Sequence, residues 1–106
     1  MDRALGMLGL CARAGKLITG EKACVQAIRA GSAFVALLDG AASANAVKAL
    51  SDACGTHGVT LVRTGENTLG DAIGKPGRIV MAVTDEAFKG MIIRAFDEER
   101  QTDAKV

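Results

Sequence analysis

Three short runs of mainly apolar residues constrain the fold of this chain more than any other feature. They occupy residues 34–38, 59–62 and 79–83, and turn residues bound each of them. Strands with apolar side chains on both faces are typical of a sheet that is covered on both sides. Because segments of helical length separate the runs, the sequence predicts an α/β fold with helices on both faces of a sheet.

Apolar residues recur at helical spacing in the segments around these runs. Residues 3–14 form the first predicted helix, which Gly15 ends in the manner of a C-terminal glycine. A second helix follows Thr19 and Gly20, either of which can cap it, and ends at Gly31. The other predicted elements are a minimal strand at 17–18, two helices capped by Ser43 and Thr84, and a short helix within residues 64–73.

A chain of 106 residues has room for one domain. We assign this domain to residues 3–96 and expect the polar segment 97–106 to fray. No apolar stretch approaches the roughly 20 residues of a membrane span, and the first residues do not have the pattern of a signal peptide. We therefore expect a cytoplasmic protein without membrane association.

Composition excludes several modes of nucleic-acid binding. The formal net charge is +1, and the only aromatic residues are three Phe. A strongly basic nucleic-acid binder carries more Lys and Arg, and a single-strand binder needs aromatic side chains on which bases stack. Disorder is excluded because 49% of the residues are hydrophobic. Any binding partner must therefore be recognised by a local patch of a compact domain.

Three cysteines and one histidine are the only soft metal ligands in the chain. Cys11, Cys24 and Cys54 are separated by 13 and 30 residues, which matches no zinc-finger or zinc-ribbon spacing. Each cysteine falls on the apolar face of a predicted helix, so we expect buried free thiols. The sequence predicts neither a metal site nor a cofactor.

Catalytic motifs are also missing from the sequence. His57 lies between Gly55 and Gly58, where we predict a surface turn. Asp39 follows the first long strand. It is either a functional carboxylate, with a small-molecule site near it as one form of that hypothesis, or the cap of the following turn. We favour the turn cap. The sequence contains no nucleophile elbow, zinc-protease motif or phosphate-binding loop. We predict that the chain is not an enzyme.

Charge is distributed unevenly along the chain. Residues 1–33 carry five cations and two acids, residues 34–84 carry four of each, and residues 85–106 carry four cations and six acids. The positive excess therefore falls on the first two predicted helices. It marks either a solvated face or a binding surface.

The second predicted helix concentrates this charge on one face. Lys22, Gln26 and Arg29 stand at positions i, i+4 and i+7 and share that face. The helix dipole disfavours a cation in the first turn, where Lys22 lies. A phosphate bound to the free backbone N–H groups after Gly20 explains why a cation lies at this position, because the phosphate attracts Lys22. The alternative is that Glu21 offsets Lys22 at an ordinary helix start.

The sequence LGLCARAGKLITGEK at residues 8–22, followed by AIRAG at residues 27–31, resembles the kink-turn RNA-binding ribosomal-protein family of the L-seven-Ae and L-thirty-e type. The match is best to the small bacterial members, and it continues through residues 36–48, 69–74 and 80–88. This resemblance implies a three-layer α/β/α sandwich with a mixed, roughly four-stranded sheet. It also implies binding to kink-turn RNA, an asymmetric internal loop that is bent sharply between two stems.

The resemblance also implies which residues contact RNA. In the family, a Gly-x-Asn-Glu-x-x-Lys segment opens the second helix and contacts sheared G·A pairs, and a loop before the last strand covers unstacked bases. Gly20 matches the glycine, Lys22 and Gln26 replace the Asn and the Lys with other donors, and Ala23 replaces the Glu. The covering loop corresponds to residues 74–78. The predicted RNA-binding residues are Lys16, Thr19, Gly20, Glu21, Lys22, Gln26, Arg29, Lys75 and Arg78.

We therefore predict a monomeric, non-catalytic protein that recognises kink-turn or similarly structured RNA, with ribosomal RNA among the candidates and no DNA partner. Recognition that depends on backbone and shape suits these residues better than recognition of base identity. Ala23, Gln26 and the nearly neutral net charge leave a second hypothesis open. In that hypothesis the chain is a protein-interaction module that kept the fold and lost the RNA site.

Overall fold

The computed structural model describes the backbone of residues 2–104 and the side-chain surroundings of residues 3–97. Helices and strands alternate throughout this part of the chain. The elements are α1 (Asp2–Arg13), β1 (Leu17–Thr19), α2 (Glu21–Arg29), β2 (Val35–Leu38), α3 (Ala44–His57), β3 (Thr60–Arg63), α4 (Leu69–Ala72), β4 (Val80–Val83) and α5 (Glu86–Ala104).

The four strands form one mixed sheet in the order β1-β4-β2-β3. β2 and β3 are parallel, with Leu38 opposite Arg63. β4 is antiparallel to both of its neighbours, β1 and β2. Its first residue, Val80, lies opposite Leu38. This topology places the end of β1, the ends of β2 and β3 and the start of β4 at the same end of the sheet.

Each face of the sheet is covered by its own set of helices. In β2, the side chains of Val35 and Leu37 join a buried cluster with residues of α1, α4 and α5. The alternate side chains, Ala36 and Leu38, join a second buried cluster with residues of α2 and α3. All four residues of β2 are buried. The prediction of a three-layer α/β/α sandwich is confirmed, because β2 and β4 are buried at every residue. β3 lies at the edge of the sheet, and within it only Val62 is buried.

The helix ends predicted at Gly15, Gly31 and Ser43 are confirmed, and the one predicted at Thr84 is wrong. Gly15 has a positive φ of 72° after α1, and the Ser43 hydroxyl accepts a hydrogen bond from the Ala46 N–H at 3.1 Å. Thr84 does not cap α5, because it still lies beside β1, where its N–H donates to the Lys16 carbonyl, and the helix begins two residues later at Glu86. Asp85 caps the helix instead, since its Oδ1 accepts from the Ala87 N–H at 2.8 Å.

The cysteines and the histidine do not converge. Cys11 is buried on the α1 side of the sheet, whereas Cys24 and Cys54 are buried on the α2 side. His57 is exposed and is the last residue of α3, so the prediction that it lies in a turn is wrong. Gly58, with φ 68°, ends the helix after it. Burial raises the pKa of the Cys24 thiol to about 12, so it packs as a small neutral group.

The last helix is longer than the sequence suggests. α5 continues to Ala104 and so passes through most of the polar segment 97–106. Fraying of that segment stays a prediction, and residues 105–106 lie outside the described residues. Within residues 2–104, no helix combines the length and the apolar character that a membrane crossing requires.

Candidate nucleic-acid interface

The start of α2 is open to solvent at one end of the sheet. Gly20 is the N-cap residue, with φ 102° and ψ 139°, a conformation that strains any residue with a Cβ. Its N–H donates to the Val80 carbonyl at 3.0 Å, so the chain turns from β1 directly into α2. No side chain caps the helix, and Thr19 does not take that role. An added Cβ on Gly20 would meet nothing within 4 Å.

The other helix starts for which side chains are described have an acceptor in place. Ser43 caps α3, Asp85 caps α5, and the Asp39 carboxylate accepts from the first N–H groups of α4. The first N–H groups of a helix have no partner within the helix. At α2 they are therefore available to an external acceptor such as a phosphate oxygen.

Exposed polar side chains surround this helix start. Glu21 and Lys22 lie in the first turn, and Gln26 lies one turn further along the face that Lys22 shares. Ala23 is also exposed and offers no polar atom beyond its backbone. Among the described residues, Lys22 forms no ion pair. Its ammonium group is therefore free to contact an incoming anion.

The loop of residues 74–78 leads into β4 next to the start of α2. The chain enters β4 between Asp39, whose N–H donates to the Ile79 carbonyl at 2.9 Å, and Gly20, whose N–H donates to Val80. Lys75 and Arg78 are exposed on this loop, and neither forms an ion pair within the described part of the chain. The loop that carries Lys75 and Arg78 and the start of α2 therefore lie at the same end of the sheet.

Gly70 in α4 allows this loop to approach the helix closely. The Lys75 N–H donates to the Gly70 carbonyl at 2.9 Å. A Cβ on Gly70 would lie 2.7 Å from the Lys75 carbonyl oxygen and 3.1 Å from the Gly77 nitrogen, closer than side chains tolerate. Glycine at this position therefore allows the loop to pack closely against α4.

Asp39 is a structural carboxylate. It is completely buried. Oδ1 accepts from the N–H groups of Ala41 at 2.8 Å and Asn67 at 2.7 Å, and Oδ2 accepts from Thr68 at 2.9 Å and Leu69 at 3.1 Å. Burial alone would raise the pKa of Asp39, but the four donors hold that pKa below its ordinary value. The turn-capping interpretation is confirmed, because the Ala41 N–H donates to Asp39 Oδ1.

Asp39 also positions the basic loop indirectly. By binding Thr68 and Leu69 it fixes the start of α4 against the end of β2. α4 carries Gly70, against which residues 74–78 pack. A buried carboxylate on the sheet thus determines where the exposed cations of the loop lie.

Two of the predicted site residues lie at the other end of the molecule. The Lys16 carbonyl accepts from the Thr84 N–H, and its Nζ lies 3.9 Å from Asp85 Oδ2. Arg29 is the last residue of α2. β1 separates Lys16 from Gly20, and the full length of α2 separates Arg29 from the helix start. The residues that the structure does bring to one end are Thr19, Gly20, Glu21, Lys22, Gln26, Lys75 and Arg78.

Two arginines that lie near predicted site residues were missed by sequence reasoning. Arg63 is exposed at the end of β3, opposite Leu38, and its place at the carboxyl end of a predicted strand was the available signal. Arg13 and Lys75 both line an open cavity of about 470 Å³ between α1 and α4. Only the packing of α1 on α4 brings those two cations together, so no local sequence signal reveals it.

Comparison with known proteins gives consistent matches over most of the chain. The sequence profile of the family described as Ribosomal protein L7Ae/L30e/S12e/Gadd45 matches residues 2–92. The chain is similar to the RNA-binding protein YlxQ of Bacillus subtilis, with 37% identity over 92 residues that make up 86% of this chain and 92% of that protein.

Solved structures share the fold. A protein of unknown function from Bacillus halodurans is 35% identical, with a TM-score of 0.87 over 92% of this chain and 99% of that one. The 15.5kD RNA binding protein of Giardia lamblia has a TM-score of 0.75 at 22% identity, over 92% of this chain and 84% of that one. At that identity the likeness concerns the fold alone.

Proposed function

Because the chain belongs to the ribosomal protein L7Ae/L30e/S12e/Gadd45 family, we propose that it binds structured RNA and catalyses no reaction. The Bacillus subtilis relative, which is similar over most of both chains, is named as an RNA-binding protein. We further propose that the chain acts in the cytoplasm as a monomer and that DNA is not its partner.

The observation that carries this proposal is the open start of α2 beside the loop of residues 74–78. Free N–H groups at a helix start and the positive end of the helix dipole both favour a phosphate. Lys22, Lys75 and Arg78 add three cations without ion-pair partners among the described residues. Cations that neutralise phosphates supply most of the affinity in sequence-independent binding.

We propose kink-turn or similarly bent RNA as the ligand, with ribosomal RNA among the candidates. A helix start enters only a groove that is wider than the deep, narrow major groove of regular A-form RNA, and a sharp bend provides such a groove. Lys22 and Gln26 can donate to base edges, whereas Ala23 cannot accept a hydrogen bond. Each missing base contact removes about 1–3 kcal/mol of discrimination. Recognition therefore relies mainly on the backbone and the shape of the RNA.

The site assignment is tested by replacing the two donors of the helix face. We expect Lys22→Ala with Gln26→Ala to weaken binding to a kink-turn RNA about tenfold or more, since it removes one phosphate or base contact and one further donor. Lys48→Ala is the matched control, because Lys48 is an exposed cation on α3 that pairs with Asp52 instead. Equal affinities of the double variant and the control would refute the assignment.

A second candidate function rests on the exposed Ala23 and the neutral Gln26. These residues fit a protein-interaction module that kept the fold without the RNA site. In that case neither a kink-turn RNA nor a straight duplex would bind at moderate salt, and a protein partner would be recovered with the purified chain. Measurable RNA affinity that depends on Lys22 and Gln26 excludes this candidate.

A further inference from the structure

A second basic cleft lies at the end of the sheet opposite Gly20. Phe34 marks this end, because its N–H donates to the carbonyl of Val83, the last residue of β4. The cleft has a volume of about 340 Å³ and is lined by residues of α2, α3 and α5 and by residues just before β2 and β3. Arg29, His57 and Lys89 are its charged or titratable residues, and no carboxylate lines it.

Ordinary helix electrostatics explain two of these three residues. Arg29 and His57 lie in the last turns of α2 and α3, where a cation stabilises the helix. Lys89 is the fourth residue of α5, near the helix start, where the dipole gives a cation no such benefit. Asp85, the acid four residues earlier, already accepts from Ala87 and lies near Lys16.

The three side chains line the same cleft from three different helices, and no carboxylate lines it with them. Within the described part of the chain, Arg29, His57 and Lys89 form no ion pair. Cations that surround a concave site with apolar walls create a positive potential that attracts anions. The apolar walls here are formed by residues such as Ile28, Phe34 and Val59.

We propose that this cleft binds a backbone phosphate of the same RNA that contacts the start of α2. The proposal rests on the RNA-binding function proposed above. Arginine and lysine side chains form charge-assisted hydrogen bonds to phosphate oxygens, and arginine forms them in pairs. The α2 site and the cleft thereby become the two ends of one RNA-binding surface.

The exposed face of α2 connects the two ends. Lys22, Gln26 and Arg29 lie along that face at positions i, i+4 and i+7. A helix of nine residues is about 13 Å long. The two sites are therefore close enough for one RNA to contact both. An RNA strand that meets Lys22 can therefore continue along α2 to the cleft.

The proposal is tested with Arg29→Gln and Lys89→Gln combined, which removes both charges and leaves polar side chains in their place. The control combines Lys48→Gln with Arg94→Gln, two exposed cations that do not line the cleft. Affinity for a kink-turn RNA is measured over a range of salt concentrations. We expect the cleft variant to bind about tenfold more weakly than the control in about 0.1 M salt, with a salt slope shallower by about 1 to 2.

Three results overturn the proposal. The first is an affinity and a salt slope equal to those of the control pair. The second is a thermal shift with inorganic phosphate that needs Arg29 and Lys89 while RNA affinity does not. The third is binding of polyglutamate, in place of RNA, that depends on the same two residues. If the wild type binds no RNA, the proposed function itself fails, so the two failures are distinguishable.

Discussion

Asp39 joins segments that are 28 to 30 residues apart in the sequence through its bonds to Asn67, Thr68 and Leu69. A buried carboxylate is tolerated only where donors replace the water that it loses. Here four backbone N–H groups do so, and three of them belong to residues 67–69 at the start of α4. Asn67 takes part with a positive φ of 60°, which is unusual outside glycine.

Replacing this carboxylate should weaken the fold. In Asp39→Asn, one acceptor oxygen becomes an amide that faces backbone N–H donors, so at least one buried pair is lost. We expect the free energy of unfolding in urea to fall by about 2–4 kcal/mol. Asp52→Asn, which removes only an exposed pair with Lys48, should change it by less than about 1 kcal/mol. Equal effects of the two variants would contradict the role assigned to Asp39.

The same residue predicts a pH dependence. The pKa of Asp39 in the fold is lower than its ordinary value of 3.8, so the ionised form stabilises the folded state above that pH. This stabilisation is lost as the pH falls below 3.8 through the folded-state pKa. The difference in unfolding free energy between wild type and Asp39→Asn should therefore be constant near neutral pH and shrink in that acidic window. A difference that does not shrink would show that the carboxylate charge is not what stabilises the loop.

Some residue roles could be predicted from the sequence and others could not. Ser43 and Gly15 were predictable because a helix cap is decided within four residues. The turn-capping role of Asp39 was predictable because its partner in that turn, the Ala41 N–H, is only two residues further along the chain. Its three bonds to residues 67–69 were not, since no local pattern reports a contact across 28 or more residues.

α4 is the element on which the geometry of the basic loop depends. It has only four residues. Asp39 binds its first N–H group, and residues 74–78 pack against its side. We predict that Gly70→Ala displaces the loop, because its Cβ would lie 2.7 Å from the Lys75 carbonyl oxygen.

Gly70→Ala should lower stability by about 1–3 kcal/mol, as overpacking does, and it should weaken RNA binding. Gly55→Ala is the matched control, because Gly55 lies inside α3 and its Cβ would meet nothing within 4 Å. That variant should be more stable by about 0.5–1 kcal/mol, with unchanged RNA affinity. Thermal unfolding and an RNA titration measure both effects, and an unaltered affinity for Gly70→Ala would contradict the positioning role of α4.

At the element level, the strands of the core were the most predictable part. β2 and β4 are buried at every residue, and their apolar runs show this directly. Grouping Lys16 with the start of α2 was the main error of position. Lys16 is four residues from Gly20 in sequence. Because the extended strand β1 lies between them, the two residues are at opposite ends of the sheet.

Among the described residues, cations without ion-pair partners lie at both ends of the sheet. A nearly neutral net charge of +1 therefore coexists with local basic surfaces at the start of α2 and at the cleft of Arg29, His57 and Lys89. With about three to five phosphate contacts, log affinity should fall with log salt at a slope of roughly −3 to −4.5. A slope near zero in a polarisation titration would show that phosphates do not supply the affinity.

The most direct test is a fluorescence polarisation titration of the wild-type chain with a kink-turn RNA and with a straight duplex of equal length. We predict that the kink-turn RNA binds more tightly and that Lys22→Ala with Gln26→Ala removes this preference. Binding of kink-turn RNA through the start of α2 is contradicted if neither RNA binds. It is also contradicted if both RNAs bind equally and the double variant binds as the wild type does.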